Sequence, residues 1–224
     1  MSRRRGAATP DLFGAESQAG AGAEALAEGA TILRRFVEAQ APALVETVTS
    51  LVAAAPFRHM VTPGGYTMSI EMTNCGHLGW VTDRSGYRYV TTDPSTRRPW
   101  PPLPTIFRDV ATSAAAAAGF PGFEPDACLV NRYEPGTRLS LHQDRNERDF
   151  SAPIVSVSLG LPAVFLFGGA RRQDRTRRVR LENGDVVVWG GPARLAFHGV
   201  APLTDGEHPL TGRHRINLTF RKAG

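Results

Sequence analysis

Cysteine is nearly missing from this chain. Cys75 and Cys128 are the two present, far apart and without Cys-x-x-Cys spacing, which excludes a disulfide framework and a cysteine-built zinc site. Both read as buried thiols of a reducing compartment. No apolar run approaches the roughly 18 residues that a membrane-spanning helix needs. The basic start "MSRRRGAATP" is not followed by the apolar stretch of a secretory signal. A soluble, cytoplasmic monomer is the expectation. Acidic residues are also in deficit: 26 Lys and Arg against 21 Asp and Glu leave a formal net charge of +5. The surplus is arginine and it is clustered, which points to a polyanionic partner.

Large apolar side chains are scarce in residues 1–25, which are Ala/Gly-rich with scattered charges. This segment is expected to be flexible and to stand outside the fold. Residues 26–224 fit one domain. Within it, "APALVETVTSLVAAA" over Ala41–Ala55 places Leu44, Val48, Leu51 and Val52 at helical spacing, with Pro42 in the first turn. A second helix, "IFRDVATSAAAAAGF", runs from Ile106 and stops at Gly119, before Pro121. Between them, residues 56–104 hold short β-prone runs rich in Tyr and Trp, punctuated by Gly and Asn. They predict irregular hairpins carrying exposed aromatics. After Phe123 the pattern becomes strand after strand: "ACLVNRYEPG", "LSLHQD", "IVSVSLG", "AVFLFGG", "VRLENGDVVVWGG", "RLAFHGV" and "RINLTFR". Turn residues separate most of them, which predicts a mainly β sandwich or barrel with flanking helices.

In "LSLHQD", side chains two apart on a strand share a face, so His142 and Asp144 can bind one ion together while Gln143 points away. The histidines available as a third ligand are His59, His77, His198, His208 and His214. His198 ends an apolar strand before a glycine. His208 sits in loop-like sequence, and His214 points opposite to Arg215. Two histidines and one carboxylate leave open positions on an ion for substrate and oxygen, the pattern of non-heme Fe(II) oxygenases. The competing explanation is that His142 and His198 satisfy local hydrogen bonds. The last strand weighs against it. In "RINLTFR", Arg215, Asn217, Thr219 and Arg221 alternate with Ile216, Leu218 and Phe220, so two guanidinium groups share one polar face. Burying them requires anions, and a dicarboxylate cosubstrate fits their geometry.

These residues carry a resemblance. "APFRHMVTPGGYTMS", "MTNCGHLGW", "PDACLVNRYEPG", "LSLHQD", "PIVSVSLGLPAVFLFGG", "GDVVVWGG" and "NLTFR", in this order from about Ala30 to Gly224, closely resemble the AlkB family of bacterial dioxygenases that repair N-alkylated bases. The resemblance implies a double-stranded β-helix, or jelly roll, with an N-terminal nucleotide-recognition lid over residues 56–104. It implies Fe(II) held by His142, Asp144 and His198, which are also the catalytic residues. It places 2-oxoglutarate against Asn131, Arg132, Tyr133, Arg215, Asn217 and Arg221. Substrate contacts fall on Trp80, Tyr87, Arg88, Tyr89, Asn146 and Arg172. The reaction implied consumes 2-oxoglutarate and O2, hydroxylates the alkyl carbon and releases an aldehyde. The partner is alkylated single- or double-stranded DNA, with RNA as an alternative. A damaged base must leave the stack to reach the iron, and stacking between Trp80 and His142 is expected to hold it.

Two features stand beside the resemblance. "RRQDRTRRVR", Arg171 to Arg180, holds six arginines and one acid and reads as a phosphate-contacting loop. In "HQDRNE" the family pattern leads to an aspartate where this chain has Asn146. Glu147, next to it, points away if the strand continues and inward if a turn intervenes. Two other classes fit the iron core less well: a hydroxylase of a protein side chain or metabolite leaves the aromatic lid and arginine loop unused, and a cupin-like binding module leaves the buried arginines unexplained.

Overall fold

The computed structural model describes residues 22–224, so the flexibility expected for residues 1–21 lies outside the described residues. The elements are β1 (Ala23–Ala27), β2 (Ala30–Leu33), α1 (Ala41–Ala54), β3 (Arg58–Val61), β4 (Thr67–Gly76), β5 (Gly79–Asp83), β6 (Gly86–Val90) and α2 (Thr105–Ala117). There follow β7 (Ala127–Tyr133), β8 (Leu139–His142), β9 (Ile154–Gly160), β10 (Ala163–Phe167), β11 (Arg177–Leu181), β12 (Val186–Trp189), β13 (His198–Val200) and β14 (Arg215–Arg221). An eight-stranded sheet, ordered β1-β2-β12-β9-β14-β7-β4-β3, faces a four-stranded one, β11-β10-β13-β8. This is the jelly roll that the resemblance implies, and it fits the sandwich or barrel that the run of strands predicts.

Alternation on β14 decides what lies on each side of the larger sheet. Ile216, Leu218 and Phe220 pack outward with Leu44, Val48 and Leu51 of α1 and Phe107, Val110 and Ala114 of α2. α1 buries Leu44, Val48 and Leu51 of its predicted face, with Val52 partly covered. Gly119, at a φ of +90°, ends α2 in the left-handed conformation that glycine adopts without steric cost. The opposite face of β14 turns Arg215, Asn217, Thr219 and Arg221 into the space between the sheets. All seven residues of the strand are buried.

Three expectations are corrected. Residues 23–25 do not stand outside the fold: β1 pairs with β2, and the Arg177 guanidinium donates to the carbonyls of Ala25 and Leu26 at 2.9 Å each. Residues 56–104 are not all hairpin. β4 joins the larger sheet along β7, from Gly76 opposite Ala127 to Glu71 opposite Arg132, and β3 follows it. Only β5 and β6 form a separate two-stranded hairpin. In "RLAFHGV" the strand shrinks to His198–Val200, because the amides of Arg194 and Ala196 bond back to Gly191 and Ala193 in a tight turn. No helix among the described residues is long and apolar enough to cross a membrane.

Candidate metal and 2-oxoglutarate site

Register brings the first two ligands together. β8 and β13 are antiparallel neighbours, and His198 stands directly opposite His142 with ring centroids 4.4 Å apart. The close approach depends on Gly199, where a Cβ would lie 2.6 Å from the Leu139 carbonyl oxygen. Just past the end of β8, the Asp144 carboxylate comes to the Nε2 atoms of both rings. Its Oδ1 lies 3.7 Å from His142 Nε2 and its Oδ2 3.7 Å from His198 Nε2. One donor atom from each residue fits within 4.8 Å of the others. Of the remaining candidates, His59 is tied to the Met68 carbonyl, His77 lines a groove behind the hairpin, His208 accepts from the Leu210 amide, and His214 faces Glu134.

The hydrogen bonds around this cluster set its chemistry. Nδ1 of His142 lies 2.9 Å from the Ser140 carbonyl oxygen, and Nδ1 of His198 lies 3.0 Å from that of Ala196. Carbonyls accept only, so both Nδ1 atoms carry the proton and both Nε2 lone pairs face Asp144. Burial and the adjacent His142 hold His198 down to about 4, which leaves it neutral near pH 7. Burial by itself would raise the Asp144 carboxyl, but Arg221, His198 and His142 outweigh it and keep the group ionised. Arg221 donates to Asp144 Oδ2 from Nε at 3.0 Å and Nη2 at 2.7 Å. Two imidazoles that present Nε2 and one oriented carboxylate suit a divalent cation of the iron or manganese kind.

Beside the cluster is an unmet demand for an anion. Arg215 is 1% exposed, and among the described residues its Nε and Nη1 find no partner, nor does Nη1 of Arg221. Nη2 of Arg215 donates to the Ser158 hydroxyl at 3.0 Å, and the guanidinium lies over the Tyr133 ring at 4.9 Å. Leaving such donors bare in an interior is costly, and a dicarboxylate satisfies them. The donors flank one cavity of about 970 Å³ that reaches from Arg215 past the His142, Asp144 and His198 cluster to Trp80.

A jelly roll enclosing an oriented two-histidine, one-carboxylate set beside bare buried guanidiniums defines an Fe(II)- and 2-oxoglutarate-dependent dioxygenase. The chain belongs to the 2OG-Fe(II) oxygenase superfamily, whose model matches residues 29–221. It is 60% identical over 201 residues to the alpha-ketoglutarate-dependent dioxygenase AlkB of Escherichia coli, covering 90% of this chain and 93% of that one. It is 35% identical over 133 residues to the nucleic acid dioxygenase ALKBH1 of Mus musculus, covering 58% of this chain and 34% of the relative. Among solved structures it resembles that of OsALKBH1, with a TM-score of 0.79, 30% identity, and 90% and 100% of the two chains covered.

The cavity gathers Asn131, Tyr133, Arg215, Asn217 and Arg221, but not Arg132. Alternation on β7 turns Arg132 to the other face, where it donates to Glu71 at 2.8 Å and lies over Phe57. On the substrate side, Trp80 and Tyr87 line the cavity and stack on each other at 5.7 Å, and Trp80 Nε1 donates to Asn146 Oδ1 at 3.3 Å. Arg172 also reaches it, donating to the Leu141 carbonyl at 2.7 Å. Arg88 and Tyr89 do not. Arg88 forks onto Asp83 within the hairpin, at 3.0 and 2.6 Å. Tyr89 turns inward and donates to Glu147 at 2.6 Å; burial, reinforced by Glu147, keeps its phenol protonated.

Sequence reasoning missed Trp189, whose buried Nε1 is unpartnered and whose ring lies 4.9 Å from that of His198. Its position at the end of "DVVVWGG", where an apolar strand breaks, was the available signal. Tyr66, Arg138 and Arg145 also line the cavity. Nothing in their local sequence distinguishes them from solvated loop residues.

Proposed function

We propose that this dioxygenase removes alkyl groups from N-alkylated bases of the 1-methyladenine and 3-methylcytosine type in DNA, with RNA as an alternative substrate. The observation that carries the reading is the continuity of the cavity from the stacked Trp80 and Tyr87 to the histidine and aspartate cluster. An aromatic platform of this kind takes a base extruded from single- or double-stranded nucleic acid. Fe(II), with 2-oxoglutarate and O2, supplies the oxidation of the alkyl carbon, and the cosubstrate leaves as succinate and CO2. His142, Asp144 and His198 hold the ion. Arg215 takes the distal carboxylate, while Arg221 orients Asp144 and meets the metal-end carboxylate. Asn131, Tyr133 and Asn217 complete that wall. Phe165 and Trp189, with rings 6.1 and 4.9 Å from that of His198, would keep water from that side of the site. The hydroxylated carbon then leaves as an aldehyde and the ring nitrogen regains its lone pair. The reading includes a monomer, and a location in the cytoplasm with which the buried, free thiols of Cys75 and Cys128, opposite each other on β4 and β7, accord.

Mass spectrometry of a methylated oligonucleotide panel, incubated with protein, Fe(II), 2-oxoglutarate and O2, tests this directly. Loss of the methyl group in step with formaldehyde and succinate is expected. Succinate without any change in the oligonucleotides would remove the substrate class and leave the enzyme class standing.

The arginine-rich segment contributes less than its sequence suggests. Arg177 is committed to β1, and Arg180 donates to Glu182. Arg175 and Arg178 are exposed. Replacing both with glutamine should weaken oligonucleotide binding and flatten its log-log salt dependence by about 0.7 to 0.9 per lost phosphate contact. An unchanged slope would mark them as solvated.

Asn146 sits on the cavity wall, its carbonyl oxygen engaged by Trp80. It supplies no negative charge to a cationic base. Asn146→Asp should raise turnover of 1-methyladenine relative to 1-methylguanine by roughly fivefold, the difference between a charged and a neutral hydrogen bond of about 1 kcal/mol. Rates on matched single-stranded oligonucleotides measure it, and an unmoved ratio would mean that this position does not read the base.

A further inference from the structure

Glu147 lies outside the cavity, yet its carboxylate joins three elements. Tyr89 of the hairpin donates to Oε1 at 2.6 Å, and Arg194, from the turn before β13, donates to Oε2 at 3.2 Å. Nε of Arg221 on β14 lies 3.4 Å from Oε1. The same Arg194 donates to the backbone carbonyls of Asp144 at 2.8 Å and Ala152 at 3.0 Å, so it clamps both ends of the turn that carries Asp144 and Asn146. The side chains of Glu147, Arg194 and Arg221 are 1%, 3% and 6% exposed. The cluster therefore contains two guanidinium groups and two carboxylates, and of the carboxylates only Asp144 faces the cavity. Buried charges are sustained by this kind of mutual pairing.

We infer that Glu147 is a positioning residue for the metal site: its charge balances Arg194 and Arg221, so that the Asp144 carboxylate remains available to a divalent cation. Without that charge, two guanidiniums share Asp144 alone. The cluster then carries net positive charge beside the dication, in a medium that screens poorly. Glu147 also explains why Asn146 faces the cavity, since drawing the one side chain into the interior turns its neighbour the other way. The inference rests on the assignment of His142, Asp144 and His198 as ligands.

The test is Mn(II) binding to the metal-free protein, with neither 2-oxoglutarate nor nucleic acid present, following free ion by electron paramagnetic resonance. Glu147→Gln preserves shape and is expected to weaken Mn(II) roughly tenfold, the effect of one partly screened charge. The double variant Glu147→Gln with Arg194→Gln returns the cluster to neutrality. It should bring the affinity back to within about threefold of wild type, beyond the usual scatter of independent effects. Structural damage would instead compound. Undiminished Mn(II) affinity in a folded Glu147→Gln protein overturns the inference, as does a double variant weaker than the single one. Should the single variant fail to fold, the double variant decides: near-wild-type affinity supports the charge balance, and weak affinity overturns it. If Asp144→Asn binds Mn(II) as tightly as wild type, the ligand assignment falls and this inference with it. Loss in Asp144→Asn with none in Glu147→Gln sinks the inference alone.

Discussion

Arg215→Ala should raise the apparent Michaelis constant for 2-oxoglutarate by two orders of magnitude or more. Truncating one partner of a buried, hydrogen-bonded charge pair costs about 3 to 5 kcal/mol, and every 1.4 kcal/mol is about tenfold. The geometry makes the expectation sharper than a generic charge deletion. Nε and Nη1 of Arg215 have no partner among the described residues, so on the proposed assignment their hydrogen bonds go to the cosubstrate. Removing the side chain relieves those bare donors but also takes away the bond to Ser158 and the contact with Tyr133. The thermal stabilisation that saturating 2-oxoglutarate gives the wild type, by binding the native state alone, should vanish in the variant when each protein is compared with its own unliganded melt. If the Michaelis constant does not move, Arg215 does not hold the distal carboxylate.

His142→Ala should abolish turnover and leave the fold intact. The ring is 34% exposed and sits at the mouth of the cluster, while Asp144 keeps both of its bonds from Arg221. Stability should fall by about 1 kcal/mol, as for an ordinary partly exposed position. On the proposed assignment the ion, by contrast, loses one of its three protein ligands. Formaldehyde release, succinate release and a thermal melt, measured together, separate the two effects. Activity at the wild-type level in a folded His142→Ala protein would remove His142 from the site.

Much of this site was legible in the sequence because strand alternation is a local rule. Residues two apart share a face whatever the strand pairs with, so the polar row of Arg215, Asn217, Thr219 and Arg221 was readable before any partner was known. His142 and Asp144 do meet, but by the turn that follows β8 at His142, and that turn also brings Gln143, expected to point away, to the cavity wall. The same rule, applied to "NRY", excludes Arg132 from the face that Asn131 and Tyr133 share. That error came from carrying over a contiguous motif without its periodicity. Family resemblance likewise supplied Tyr87, Arg88 and Tyr89 as one block, whereas the hairpin sends only Tyr87 into the cavity.

Tertiary structure alone decided the pairings between distant segments. The antiparallel register of β8 and β13 sets His198 opposite His142, and no local pattern encodes which strands become neighbours. Arg177 reads as a phosphate contact within its run of arginines, and only the approach of β1 turns it into a backbone clamp. In sequence Arg194 opens the strand-like "RLAFHGV" and Glu147 faces either way; they become a buried ion pair because the turns carrying them close over the same end of the barrel. The division has one physical cause: a side chain's facing is set by the dihedral angles of its own few residues, while its burial and its partner are set by chain brought from far away.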